Sequence, residues 1–359
     1  MLLSILIFIL TLLVLVLIHE FGHFLMARKF NIKVEEFGFG IPPKIWGKKI
    51  GETTYSINAL PIGGFVRLLG EDQDGGVKSS RDFRAKSVYQ RILVVVAGVV
   101  MNLLLAWVIF YSVISYQGFK TIYPTLESAV FVSDLAPDFP AQQAGIKVGD
   151  KVLKVDEKVV KNFEDARNFI QEKKGAAVSL TLADIDGESK RIVNVTPKKG
   201  DKGYLIGVVF SPFAIKAYTT PLEKIFSGVT YSYDLTRYTF LGLGKTISDL
   251  VSGDYGKVSQ SVAGPVGLAT MSNGILSQGI KAAPMYLWFV GVISLTLSIF
   301  NVLPIPALDG GRLLFLVIEA VTKKKVREDI EKWVHQIGFA ILLTLALLVT
   351  YSDISKLIH

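Results

Sequence analysis

The sequence predicts a multi-pass α-helical membrane protein of about four transmembrane helices, with a membrane-associated β-hairpin and one inserted α/β domain. Three observations lead there. Half of the 359 residues are hydrophobic and the mean hydropathy is +0.44, values typical of chains that live in lipid. Four apolar stretches, 2–27, 92–116, 285–303 and 334–352, are each long enough to cross a hydrocarbon core of about 30 Å. Between the second and third lies a charged segment with short strand-like runs, unlike its flanks.

The totals narrow the chemistry. The net charge is +8, but the basic residues gather beside the apolar spans. That pattern reads as membrane topology and not as a nucleic-acid-binding face, so no nucleic-acid partner is expected. There is no cysteine, which excludes a thiol nucleophile, a thiolate zinc site and disulfides.

Residues 2–18 could pass for the apolar part of a signal peptide. They lack a basic leader, the apolar run is too long, and it ends in His19-Glu20 instead of a small-residue cleavage site. A retained transmembrane helix is expected. Its last turns read Leu15-Val-Leu-Ile-His-Glu-Phe-Gly-His-Phe24. On a helix His19 and His23 are one turn apart and share a face, with Glu20 about 100° round from His19. Two imidazoles so spaced can hold Zn²⁺, and the adjacent carboxylate can take a proton from metal-bound water. Such a triplet also arises by chance. Its setting argues otherwise, because charged groups at membrane depth cost about 2.5–3.5 kcal/mol each and are functional by default.

The connection between the first two spans is rich in Lys and Arg, from Arg28 and Lys29 through Lys78, Arg81, Arg84 and Lys86 to Arg91. The connection between the last two carries Lys323, Lys324, Lys325, Arg327 and Lys332. Both are therefore expected to be cytoplasmic. The long 117–284 segment and both termini are then extracytoplasmic, and the His-Glu pair sits near the cytoplasmic face.

Residues 52–70 read as a hairpin. Glu52–Ile57 and Phe65–Leu69 alternate in character around Asn58, Pro61, Gly63 and Gly64. Gly38-Phe-Gly40 upstream is similar. The stretch is either a cytoplasmic loop or non-helical backbone lining a protein-covered cavity at membrane depth. In the second case an unpaired strand edge could receive an extended peptide. Asn102, amid Ala97, Gly98 and Ala106 in the second span, is expected to serve helix packing, since small residues allow close approach and an amide can bond across helices.

Residues 126–200 form one compact domain of strands (129–132, 151–155, 178–182, 191–195) and a helix (162–173). Within it, Pro140-Ala-Gln-Gln-Ala-Gly-Ile-Lys-Val-Gly-Asp-Lys-Val152 resembles the signature of bacterial PDZ domains. The resemblance implies a PDZ domain over 117–210 with a groove that takes a peptide end or strand beside an exposed edge. The following segment, 211–284, repeats apolar residues at Leu222, Phe226, Val229, Tyr233, Phe240, Leu243, Ile247 and Leu250. That stripe suits an amphipathic helix lying on the membrane or against the protein.

The third span ends in Asn301-Val-Leu-Pro-Ile-Pro-Ala-Leu-Asp-Gly-Gly311. Pro304 and Pro306 break a helix and free carbonyls. Asn301 offers a donor and an acceptor to another backbone. Asp309 would complete a two-His, one-carboxylate zinc site that leaves a position for water; it would equally serve as a helix N-cap. Glu319 is the rival third ligand, or an interfacial ion-pair partner beside a basic stretch.

Together these features resemble the site-2 protease family of intramembrane zinc metalloproteases, most nearly its bacterial PDZ-bearing branch of the regulator-of-sigma-E-protease type. The resemblance covers essentially the whole chain, from the motifs of 1–116, with β elements at about 33–70, to those of 285–359. Two departures are a single PDZ domain where some members carry two, and Gly98-Val99 where the family often has Gly-Pro. The resemblance implies one Zn²⁺ per chain on His19, His23 and Asp309, with Glu20 as catalytic base. It also implies substrate contacts at Asn301, Pro304 and Pro306 and at the β elements bearing Gly38, Gly40, Asn58, Gly63 and Gly64. The expected setting is the lipid bilayer of a bacterial inner membrane. The expected substrates are single-span membrane proteins, such as anti-sigma factors or remnant signal peptides, with an extracytoplasmic peptide segment at the PDZ domain.

Overall fold

The structure, a computed structural model, describes residues 2–71, 79–124, 129–185, 187–200 and 203–358. Lys78 of the basic segment lies outside them. The chain opens with helix α1 (Leu2–Lys29), strands β1 (Val34–Ile50) and β2 (Thr53–Leu68), and helix α2 (Val88–Tyr116). Strands β3 (Lys120–Tyr123) and β4 (Val130–Leu135), helix α3 (Pro140–Gln143), strands β5 (Lys151–Val155) and β6 (Lys158–Val159), and helix α4 (Phe163–Glu172) follow. Then come β7 (Val178–Ala183), β8 (Lys190–Val195), β9 (Lys198–Gly200), β10 (Gly203–Leu205), β11 (Val208–Ser211) and β12 (Ala214–Ala217). Helices α5 (Pro221–Ile225), α6 (Ser227–Val251), α7 (Tyr255–Ser261), α8 (Pro265–Leu276), α9 (Ala283–Val302), α10 (Asp309–Thr322) and α11 (Glu328–Ile358) complete the chain.

Two compact units result, one of Met1–Phe110 with Lys245–His359, the other of Tyr111–Gly244. Among the described residues four helical stretches are long and apolar enough to cross a membrane: Leu3–Lys29, Val88–Tyr116, Ile280–Val302 and Asp329–Leu357. This is the pattern of a multi-pass membrane protein, and the four stretches overlap the four expected from hydropathy.

In the first unit α1 is helical because an unbroken Leu/Ile/Val run leaves no breaker before its end. Arg28 and Lys29 sit in its last turn, where cations complement the exposed carbonyls. Gly22 sets how close α2 comes: a Cβ there would stand 2.4 Å from the carbonyl oxygen of Ala97. One core cluster joins α1, both strands, α2 and α10 through Phe24, Val34, Leu68, Val94 and Leu316. Another joins α1, α8 and α9 through Phe8, Leu15, Ile275 and Phe289.

The β element corrects the expected 52–70 hairpin. Residues 53–57 and 64–68 do not pair with each other, because residues 34–39 lie between them. Glu36 faces both Thr54 and Arg67, and Phe39 faces both Ile57 and Gly64. The outer half of β1 folds back, pairing Trp46 with Ile57 and Ile50 with Thr53. The bend is built at Gly40, whose φ is +79° and whose carbonyl accepts from Asn58 Nδ2 at 2.9 Å. Aromatic packing holds the inserted segment, with the Phe37 ring 5.5 Å from Phe24 and 6.1 Å from Tyr55. Residues 64–68 thus become an edge, and among the described residues no further strand pairs with it.

In the second unit an antiparallel sheet runs β11-β4-β5-β7-β8, with β6 on β5. Its alternating inward residues, among them Val132, Val152, Leu180 and Leu182, pack with Ala166 and Ile170 of α4. Asn162 caps α4 by accepting from the Asp165 amide at 2.8 Å. A separate ribbon pairs β3 with β12, and Tyr231 of α6 donates to the Ile122 carbonyl at 3.0 Å. On α5 and α6, Leu222, Phe226, Tyr233 and Phe240 remain exposed.

Candidate active site

His19 and His23 project from the same face of α1 toward α2. That face of α2 is bare at Gly98, where a Cβ would lie 2.4 Å from His23 Nε2 and 2.8 Å from His19 Cε1. One turn earlier the Val94 carbonyl accepts from His23 Nδ1 at 2.8 Å. A carbonyl oxygen only accepts, so Nδ1 carries the proton, and a neutral ring presents its Nε2 lone pair to the site.

Asp309 arrives from the other end of the sequence. It is the first residue of α10, behind a turn in which Ala307 holds a φ of +72°. The Ala307 amide donates to His335 Nδ1 of α11 at 2.9 Å. Pro306 lies hard against the same helix, 2.2 Å from where a Gly338 Cβ would be. The turn thereby aims the Asp309 carboxylate back at the imidazoles. Its Oδ2 is 2.9 Å from His19 Nε2 and 3.3 Å from His23 Nε2, and the two Nε2 atoms are 3.2 Å apart.

Three groups that are acceptors in their ligating forms converge in one half-buried triangle, the only such cluster among the described residues. Four ligands at zinc–nitrogen and zinc–oxygen distances would stand about 3.3 Å apart in a tetrahedron. Two imidazoles and a carboxylate at these separations fit that donor set, with one position left over.

Glu20 lines a cavity of about 240 Å³ together with His23, Asp309, Phe65, Val66 and Arg312. The edge strand borders it: a Cβ on Gly64 would be 3.5 Å from Glu20 Cγ. A second cavity of about 670 Å³ meets the site at Asp309 and is lined by charged residues including Glu71, Arg84, Arg91, Arg312, Glu319 and Lys332. Arg312 pairs with Glu71, and both line the two cavities.

The rival ligand Glu319 is engaged elsewhere, 2.6 Å from Arg91 in a buried ion pair. Of the glycines singled out in the β element, Gly64 alone approaches Glu20. Gly38 lies under the Phe65 ring, Gly40 against the Leu60 carbonyl, and Gly63 (φ +80°) faces open space within β2. Asn58 is buried in its bond to Gly40. Asn301 is half-buried at the end of α9 and Pro304 is exposed; neither lines either cavity. Sequence reasoning misses the steric role of Gly98, the Val94 carbonyl and the Glu71–Arg312 pair. Only Gly98 leaves a trace in the sequence, as a small residue in an apolar helix.

The profile of Peptidase family M50 matches residues 7–345. A Clostridium perfringens protein named as a candidate zinc metalloprotease is 37% identical over 342 residues, covering 95% of this chain and 95% of its own. The zinc metalloprotease RasP of Geobacillus kaustophilus is 31% identical over 423 residues, again covering 95% of each chain. Among solved structures, the PDZ domain of an SdrC-like protein from Listeria monocytogenes is 21% identical over 24% of this chain and 92% of its own, with a TM-score of 0.21.

Proposed function

The chain belongs to Peptidase family M50, zinc metalloproteases of the site-2 protease type, and from that premise we propose how it acts. It hydrolyses a peptide bond within or near the transmembrane segment of single-span membrane proteins, with one zinc ion held by His19, His23 and Asp309. The observation that carries this reading is the convergence of His19 Nε2, His23 Nε2 and Asp309 Oδ2 within 3.3 Å of one another, beside Glu20 and an unpaired strand edge.

A zinc ion held by His19, His23 and Asp309 would supply Lewis-acid activation of the scissile carbonyl and of the attacking water. Everything else falls to the chain. Glu20, a carboxylate in the same cavity, accepts the proton of the attacking water and passes it to the departing amine. Asp309 and the imidazoles keep their ligating atoms aimed through the Ala307–His335 and His23–Val94 bonds. A helical substrate must unwind before its backbone can be attacked, and residues 64–68 offer main-chain partners that hold it extended.

Residues 117–210 form, on this reading, an extracytoplasmic PDZ domain that admits substrates already trimmed outside the membrane. The motif Pro140–Val152 supports that assignment. The Lys/Arg bias of the connections supports a bacterial inner-membrane topology with the site near the cytoplasmic face.

The test uses purified full-length protein and a single-span substrate, with products identified by mass spectrometry. Glu20→Gln is expected to lower cleavage by about 10²–10⁴-fold while zinc content stays at one per chain. Undiminished cleavage by Glu20→Gln would remove Glu20 from the mechanism. Protease accessibility of 130–200 from the cytoplasmic side would reverse the topology.

A further inference from the structure

We infer that Asn102 is a positioning residue for His19, its side-chain oxygen taking the proton on His19 Nδ1 directly or through one buried water. This rests on the reading of His19 as a metal ligand.

Two buried polar groups lack hydrogen-bond partners in the same helix pair. His19 Nδ1 has none among the described residues, and neither amide atom of Asn102 has one. Asn102 is fully buried. Its main-chain carbonyl is used, accepting from Ser294 Oγ at 2.8 Å, so the expected packing role falls to the backbone and leaves the side chain over.

The helix pairing brings the two groups together. α1 and α2 run antiparallel, since His23 Nδ1 bonds the Val94 carbonyl while His19 Cε1, one turn back on α1, lies 2.8 Å from a Cβ at Gly98, one turn on along α2. One turn back along α1 leads from His23 to His19, and one turn on along α2 leads from Gly98 to Asn102. Asn102 therefore stands to His19 as Gly98 stands to His23, whose Nε2 lies 2.4 Å from a Cβ at Gly98. Leu15 and Ala106, each one turn farther along its helix, are fully buried and apolar; their side chains offer no alternative acceptor.

The chemistry asks for such a partner. When Nε2 ligates a metal, Nδ1 keeps its proton and needs an acceptor, which fixes the tautomer and the ring angle. His23 has the Val94 carbonyl for this. An amide serves His19 because its oxygen accepts without adding a charge in an apolar interior.

Asn102→Leu, Asn102→Ala and Asn102→Asp in the full-length protein test the assignment, read by zinc affinity in chelator competition and by thermal unfolding of the zinc-free protein. Asn102→Leu and Asn102→Ala are expected to weaken zinc about 10- to 100-fold without lowering the zinc-free unfolding temperature. Asn102→Asp, which keeps an acceptor oxygen, should stay within a few-fold of wild type. Wild-type zinc affinity in Asn102→Ala overturns the inference, as does equal weakening in all three variants with a parallel fall in unfolding temperature. If Asn102→Leu does not fold, Asn102→Ala decides. His19→Ala separates the two levels: retained zinc there sinks the ligand reading itself, whereas zinc lost there but kept in Asn102→Ala sinks only this inference.

Discussion

A β-carbon on Gly98 would stand 2.4 Å from Nε2 of His23, so the absence of a side chain at one position of α2 is a condition for the placement of the imidazoles on α1. Replacing glycine by alanine inside a helix ordinarily stabilises by about 0.5–1 kcal/mol. Here the methyl group would occupy the space of the imidazole. Gly98→Ala is expected to lose most bound zinc and to cleave at least about tenfold more slowly, a loss like that on disturbing a ligand's support. Metal analysis of the purified variant checks it, and full zinc occupancy would contradict the geometry.

Asp309 and zinc should be inseparable in function. Chelation is expected to abolish cleavage by the wild type, and added zinc to restore it. Asp309→Ala removes one of the three proposed ligand atoms, so added zinc should not rescue it at concentrations that saturate the wild type. Cleavage that survives exhaustive chelation would exclude a metal-dependent reaction.

The buried Arg91–Glu319 pair should hold α2 and α10 together. The two side chains are 8% and 12% exposed and 2.6 Å apart, so Arg91→Met strands a largely buried carboxylate. The expected loss is about 3–5 kcal/mol of stability. Adding Glu319→Leu should recover most of it, because the desolvated charge is then gone as well. Unfolding of the single and double variants in detergent measures the difference.

Glu36 gives the β element a pH dependence. Burial alone would raise its pKa, but the Lys44 ammonium at 2.6 Å and the Arg67 guanidinium at 3.2 Å outweigh it and hold the carboxyl below its ordinary 4.5. A depressed folded value means that the stabilisation is complete well above pH 4.5 and is lost as the pH falls through the folded value. Wild-type unfolding temperature should therefore fall on acidification below 4.5 more steeply than that of Glu36→Gln. Parallel curves would show that the pair contributes nothing.

What the sequence determines by itself is local and periodic. The four spans follow from apolar length, because lipid demands that about 20 successive residues satisfy their own backbones. His19, Glu20 and His23 are one turn of a helix, so helix pitch alone puts both imidazoles on one face. The strands of the second unit follow from alternation, and 151–155 is reproduced residue for residue.

Tertiary structure decides whatever depends on two distant segments meeting. Asp309 and Glu319 are both carboxylates on α10, and no local rule ranks them. Packing does, since Glu319 reaches Arg91 on α2 while the Pro306–Ala307 turn, pinned by His335, aims Asp309 at the imidazoles. The insertion of 34–39 between the two halves of β2 is equally invisible beforehand. Strand alternation names the face of each residue but not its neighbour, because register is chosen by side-chain packing across the sheet.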